Sequence, residues 1–237
     1  VDLMRLLHTS DWHLGRSLHG EDLHAAQREA MEQLVAVVDE QAVDAVVVAG
    51  DVYDRAVPPL ESVQLLSWVL DELSRRVPVV VISGNHDSAT RLGFGAGLYR
   101  DGLHIRTGAG AVGQPVELED AHGPVLVYPI PFLDPDAVRA GLADGEPLER
   151  THEAVLGAAM RRVRRDLAGR PSARSVVVSH SFVVGGGGGR LAGPLQDLGD
   201  GVLPAKRHHV HPCDARNLAY LLHDLGAQLQ PFLRYLV

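Results

Sequence analysis

Four short clusters of metal-binding and proton-carrying side chains punctuate the first 180 residues of this chain: Asp11-x-His13, Gly50-Asp51, Gly84-Asn85-His86-Asp87 and His180. Carboxylate, imidazole and amide oxygen together make a hard-to-borderline donor set, suited to Mn, Fe, Zn or Mg rather than copper or an iron–sulfur cluster. Two such ions about 3.5–4 Å apart, bridged by one carboxylate, would activate water and neutralise charge on a phosphoryl group. Taken singly, each cluster has an ordinary explanation as a turn, a cap or a satisfied histidine. Their weight comes from recurrence: each ends a strand, in an order compatible with one site.

The strands that present them are legible as apolar runs. "MRLLHTSD" (4–11) turns polar at its end, and "DAVVVAGD" (44–51) is continuously apolar, as expected for a sheet buried on both faces. Residues 79–82 (VVVI) and "SVVVSH" (175–180) supply two more. Over 25–40, Met31, Leu34, Val35 and Val38 recur at spacings of three and four, predicting an amphipathic helix. A second helix starts near Pro59, with Val63, Leu66, Val69, Leu70 and Leu73 on one side. Alternating strands and helices imply right-handed crossovers and a largely parallel sheet. In such sheets sites form outside the carboxyl ends of the strands, so the four clusters should converge. From 103 to 133 shorter β runs are separated by Gly and Pro. A helix around 151–168, Arg-rich on its exposed side, leads to the fourth strand. Five glycines at 185–189 predict a flexible linker, and a Leu-rich stretch from about 215 has helical character.

Composition bounds the rest. A length of 237 residues, 46% hydrophobic, fits one large α/β domain or a domain with a small appendage. The formal net charge of −8 gives no bulk support for wrapping nucleic acid, although a local basic groove or bound cations can reverse the sign where it matters. The single Cys213 excludes an intramolecular disulfide framework and fits a reducing compartment. No apolar stretch reaches about 18 residues, and no charged segment leads into an apolar core at the start. The expectation is a soluble, cytoplasmic protein with no membrane partner.

In this order, "DWH", "GDVYD", "GNHD" and "SH" resemble the calcineurin-like metallophosphoesterases. The longer runs "LLHTSDWHLGRSLHG", "AGDVYDRAVPP" and "VVVISGNHDSATRL" are similar to SbcD, the nuclease-subunit family of the bacterial SbcCD complex, over residues 4 to about 184. The resemblance implies an α/β, layered metallophosphoesterase fold with central β-sheets flanked by helices. It implies one metal held by Asp11 and His13, Asp51 bridging, and Asn85 and His180 on the second metal. His86 would face the scissile phosphodiester, as proton donor to the leaving oxygen or stabiliser of developing charge. Asp54 would orient His86 by accepting a hydrogen bond from its ring; the other reading is a solvated loop carboxylate. Arg55 either pairs with phosphate or caps local acids. Asp87 stays behind as a turn or supporting residue.

The activity implied is that of a double-strand exonuclease and single-strand endonuclease in DNA recombination and repair. It would use two divalent ions, Mn2+ with Mg2+ as the alternative. Its partners would be DNA and an SbcC-type ATPase, with a homodimer inside a heterotetramer. The apolar helix 59–76 is either the dimer surface or an ordinary core-facing helix. Two competing readings are a phosphoesterase on a smaller substrate and a catalytically impaired chain. The impaired reading arises because the family's closing Gly-His-x-His element is not present in that form. His209-x-His211 has the spacing, but "PAKRHHVHPCD" has no apolar strand or glycine leading into it, and an exposed histidine-rich loop is the other reading. The expected organisation is therefore a nuclease domain over 1–184, incomplete, and a glycine-rich linker with an atypical tail over 185–237, lacking the family's cap domain. A shifted reading frame beyond codon 184 would account for the change.

Overall fold

A computed structural model describes residues 3–99 and 102–181, together with the backbone of 233–236. Strand β1 (Leu6–Thr9) is followed by a small hairpin, β2 (Ser17–Leu18) and β3 (Glu21–Asp22), and by helix α1 (His24–Glu40). Next come β4 (Ala45–Ala49), α2 (Leu60–Ser74), β5 (Val79–Ile82), the single turn α3 (Ala89–Leu92) and β6 (Leu103–Arg106). The second half holds β7 (Val116–Asp120), β8 (Gly123–Ile130), α4 (Pro135–Leu142), α5 (His152–Ala168), β9 (Arg174–Ser179) and β10 (Leu233–Leu236).

Two sheets pack face to face between two layers of helix. The first has the order β10-β1-β4-β5-β6, with β1, β4, β5 and β6 parallel and β10 antiparallel on the edge. The second has the order β7-β8-β9, in which β8 and β9 run parallel and β7 antiparallel. The period of two along each strand sorts side chains between the layers. Val46, Val48, Val79 and Val81 join Met31, Leu34, Leu65 and Leu73 in a core beneath α1 and α2. Their neighbours Ala45, Val47, Ala49, Val80 and Ile82 face Val116, Val125, Val127, Val176 and Val178 of the second sheet. Leu126, Tyr128, Ile130 and Val177 turn outward onto Val155, Ala159 and Val163 of α5. Burial on both faces is why the strands read as unbroken apolar runs.

The sequence expectations meet this architecture at most elements. The first and second helices lie where periodicity placed them, and 79–82 is a strand over its whole predicted length. Pro59 stays just outside α2 as its cap residue. The apolar side of α2 also differs: Leu65 belongs to the buried face, whereas Val63 is 41% exposed. The strand that leads into His180, β9, belongs to the second sheet rather than continuing the first. Hairpin β2-β3 and helix α4 were not anticipated, because two-residue strands and an eight-residue helix give periodicity too few repeats. Local chemistry starts α4: the Asp134 carboxylate accepts from the Asp136 amide at 3.0 Å, and Pro135 follows the cap. At the end of the Leu-rich stretch, 233–236 form a strand paired with β1. The glycine run, His209, His211 and residues 215–232 lie outside the described residues. No helix among the described residues is long and apolar enough to cross a membrane.

Asp120 ties the sheets at one end. Its carboxylate pairs with both terminal nitrogens of Arg174 and also accepts from the backbone amides of Met4, just before β1, at 3.1 Å and His122 at 2.7 Å. The Arg174 hydrogen bonds, and then those amides, hold the carboxyl well below its ordinary value of 3.8 despite partial desolvation. A depressed carboxyl stabilises the fold above the unfolded value and loses that contribution as pH falls. Urea midpoints of the parent and Asp120→Asn should therefore differ clearly at pH 7, and the gap should begin to narrow only as pH falls below 3.8.

Candidate metal centre

The first ligand turn grows out of β1 and lies along the turn that follows β4. The amide of Asp11 donates to the Gly50 carbonyl at 3.0 Å, His13 to Asp51 at 3.0 Å and Leu14 to Val52 at 2.9 Å. The pairing of β1 with β4 thus continues past the strand ends and carries the two turns together. Asp11, His13 and Asp51 all have positive φ, at 57°, 46° and 50°. Left-handed backbone at non-glycine residues costs on the order of 1–3 kcal/mol each and persists only where the surroundings over-determine it. Between Asp11 and His13, Trp12 is fully buried, its Nε1 donating to Thr9 Oγ1 at 2.8 Å. That anchor turns one side chain of the trio inward.

The second and third turns interlock through a glycine and a carboxylate. A Cβ on Gly84 would fall 2.2 Å from both the amide nitrogen and Oδ1 of Asp51, so only glycine permits this approach. A Cβ on Gly50, where φ is +84°, would fall 2.6 Å from His180 Nδ1. The Asp87 carboxylate accepts three backbone hydrogen bonds, from Gly84 at 2.8 Å, Val52 at 3.1 Å and Tyr53 at 2.8 Å. It therefore joins the β4 turn to the β5 turn. Burial raises the Asp87 carboxyl above its ordinary value; the three amides oppose this, and the charge of Asp51 adds to it. Burial first, and then Asp87, pushes the Tyr53 hydroxyl up to about 12.

With the turns in place, the side chains form two donor groups that meet at Asp51. His13 Nε2 lies 3.7 Å from Asp11 Oδ1 and 3.7 Å from Asp51 Oδ2. On the other side, His180 Nε2 lies 3.1 Å from Asn85 Oδ1 and 3.5 Å from Asp51 Oδ1. The Ala49 carbonyl, 2.8 Å from His180 Nδ1, can only accept, so Nδ1 carries a proton, and in the neutral ring Nε2 then turns its lone pair to the two oxygens. Three acceptors facing one another is an arrangement a cation stabilises. The separations also fit: donors about 2.1 Å from a shared ion lie roughly 3.0–3.7 Å apart. Asp11, His13 and Asp51 place their ligand atoms within 4.8 Å of one another. The residues present thus fit divalent cations in two adjoining places.

His86 borders both groups. Its amide donates to Asp51 Oδ1 at 2.9 Å, and its ring stands edge-on to that of His13, with centroids 4.8 Å apart. Its Nδ1 is 2.8 Å from the backbone carbonyl of Asp54. This corrects the expected role of the Asp54 carboxylate, whose Oδ1 lies 3.4 Å from His13 Nδ1 instead. Asp54 N bonds the Leu14 carbonyl, its own carbonyl faces His86, and its carboxylate offers an oxygen within 4.8 Å of both His13 and His86. His86 still has an oriented ring, through the main chain. Arg55 is exposed.

Asp11, His13, Asp51, Asn85, His86 and His180 are brought together, with Asp54 beside them, while His209 and His211 lie outside the described residues. Sequence reasoning passed over Phe132, whose ring is 6.4 Å from that of His180 and 5.6 Å from that of His152. The run "PIPF" directly after an apolar strand was the available signal.

Gly84→Ala should displace Asp51 and weaken divalent-metal binding by about 10–100-fold, measured by calorimetric titration. Asp87→Ala strands three amides and should lower stability by on the order of 3 kcal/mol in denaturant unfolding.

Residues 4–133, more than half of the chain, match the family model described as calcineurin-like phosphoesterase. Among solved structures, the crystal structure of TT1561 of Thermus thermophilus is similar over 78% of this chain and 71% of that one, at 16% identity and a TM-score of 0.48. A layered α/β fold, interlocked turns at the carboxyl ends of its strands, a donor set suited to divalent cations and the family match agree. This chain belongs to the calcineurin-like phosphoesterase family of metal-dependent phosphoester hydrolases.

Proposed function

We propose that this protein is a metal-dependent DNA phosphodiesterase of the SbcD kind, acting with an SbcC-type ATPase in recombination and repair. The observation that carries the reading is the setting of His86, edge-on to His13 and bonded through its amide to Asp51. The three segments that build this setting resemble SbcD along their whole length rather than at the ligands alone. Two divalent ions held by Asp11, His13, Asp51, Asn85 and His180 would supply charge neutralisation and an activated nucleophile, Mn2+ being the expected species. His86 does the proton work. The Asp54 carbonyl holds Nδ1, so Nε2 is the nitrogen available to the substrate. As water oxygen bonds to phosphorus, the ester bond to the leaving sugar oxygen breaks, and that oxygen takes the Nε2 proton of the imidazolium form of His86, leaving a neutral ring whose Nδ1–H still donates to the Asp54 carbonyl. Against the acidic net charge of −8, cations held at the donor groups would favour approach of a polyanion.

The homodimer expectation has its own support. Val57 just before α2, Leu60 and Val63 in its first turn, and Phe94 and Leu98 after α3 are exposed, Leu60 at 71% and Phe94 at 83%. Large apolar side chains at such exposure fit a contact between copies. Light scattering should show Leu60→Glu shifting the protein towards monomer.

The central test is cleavage of double-stranded DNA and of a generic phosphodiester ester in Mn2+. Cleavage of both is expected, with His86→Ala slowing each by about 10²–10⁴-fold. Ester cleavage without DNA cleavage would replace the nuclease reading with a smaller substrate. Silence on both, with metal occupancy well below two per chain, would make this chain catalytically impaired.

A further inference from the structure

We propose that Gln27, on α1, is a positioning residue for the metal centre: it clamps the His13 turn and thereby sets the divalent-cation affinity of the Asp11–His13–Asp51 group. The side chain is 4% exposed. Its Oε1 accepts from the Gly15 amide at 3.0 Å, and its Nε2 donates to the His13 carbonyl at 2.8 Å. One amide thus bridges the two ends of a chain reversal with φ of 46° at His13 and +87° at Gly15. Backbone of this kind relaxes unless neighbours hold it.

The turn is held from two sides. From the turn after β4, the Asp51 carbonyl takes the His13 amide; from α1, Gln27 donates to the His13 carbonyl, which also accepts from the Arg16 amide at 3.0 Å. With both of its peptide groups bonded, His13 has little freedom to swing its ring away from Asp11 and Asp51. The anchor itself is rigid, since Met31, Leu34, Val35 and Val38 bury α1 against the first sheet. Residue chemistry is selective here. A neutral amide donates and accepts at once; a glutamate offers no donor to a carbonyl, and an apolar side chain offers neither. A buried amide is costly unless both ends are used, and here both are.

The inference rests on the family's divalent-metal chemistry and not on the choice of DNA as substrate. The test uses Mn2+ itself, titrated into the purified full chain and followed by the paramagnetic signal of free Mn2+. The parent, Gln27→Glu, Gln27→Met and the core control Val38→Ala are compared, each with its thermal midpoint and the amide exchange of residues 13–15 without metal. Both Gln27 variants should bind Mn2+ about tenfold more weakly or worse, exchange faster at 13–15 and recover phosphodiester cleavage when Mn2+ is raised. Val38→Ala should lose thermal stability while keeping the parent's Mn2+ affinity. Parent-like affinity in both Gln27 variants overturns the proposal. So does a loss matched by Val38→Ala at equal loss of stability, or failure of both Gln27 variants to fold. A parent that binds no Mn2+ would instead overturn the metal reading beneath it.

Discussion

The approach of the Gly84 backbone to Asp51 governs the centre. Asp51 lies at the end of β4, between the turns that follow β1 and β5, and its two carboxylate oxygens face different donor groups. That position requires the β5 turn to come closer than any side chain at Gly84 would permit. Once it does, the His86 amide reaches Asp51 Oδ1, and Asp87 lies under both turns to take three amides. The contact therefore orders both carboxylate oxygens of Asp51 and the backbone of His86. A buried carboxylate among other acceptors is costly alone. Cations in the adjoining places would offset that cost, which couples the geometry of the site to its occupancy.

This concentration of strain is tolerable because the layers beneath are dense and regular. Small and β-branched residues on the facing sides of β4 and β5, such as Ala45, Val47, Ala49 and Val80, let the second sheet pack closely. The packing brings β9 across the end of β4, so that His180, from a different sheet, can bond the Ala49 carbonyl. Left-handed backbone at Asp11, His13 and Asp51 is then held by a scaffold with little freedom to relax.

Much of the site was legible one turn at a time. Asp11, His13, Asp51, Asn85 and His86 follow apolar strands directly, and the strand ends could be read because burial on both faces leaves continuous hydrophobic runs. Asp54 shows where such reading stops. Its carboxylate and its carbonyl are equally visible in the letters, yet it is the carbonyl that hydrogen-bonds His86 Nδ1, while a carboxylate oxygen stays within 4.8 Å of the His13 and His86 rings. Phe132 and Gln27 were passed over for a related reason: an apolar residue after a strand and a glutamine in a helix acquire meaning only from what they touch.

The sequence by itself determined the periodicities, and with them the strands and helices, the glycines at the turns and the chemical class of the donors. Those are properties of residue type and short-range spacing. Tertiary structure alone decided that β9 joins a second sheet, that Asp51 divides its oxygens between two groups, and that His86 is oriented by a peptide carbonyl. These depend on contacts between residues tens to more than a hundred positions apart, such as His180 with Ala49. Local propensity carries no information about such distances; packing of the two sheets does.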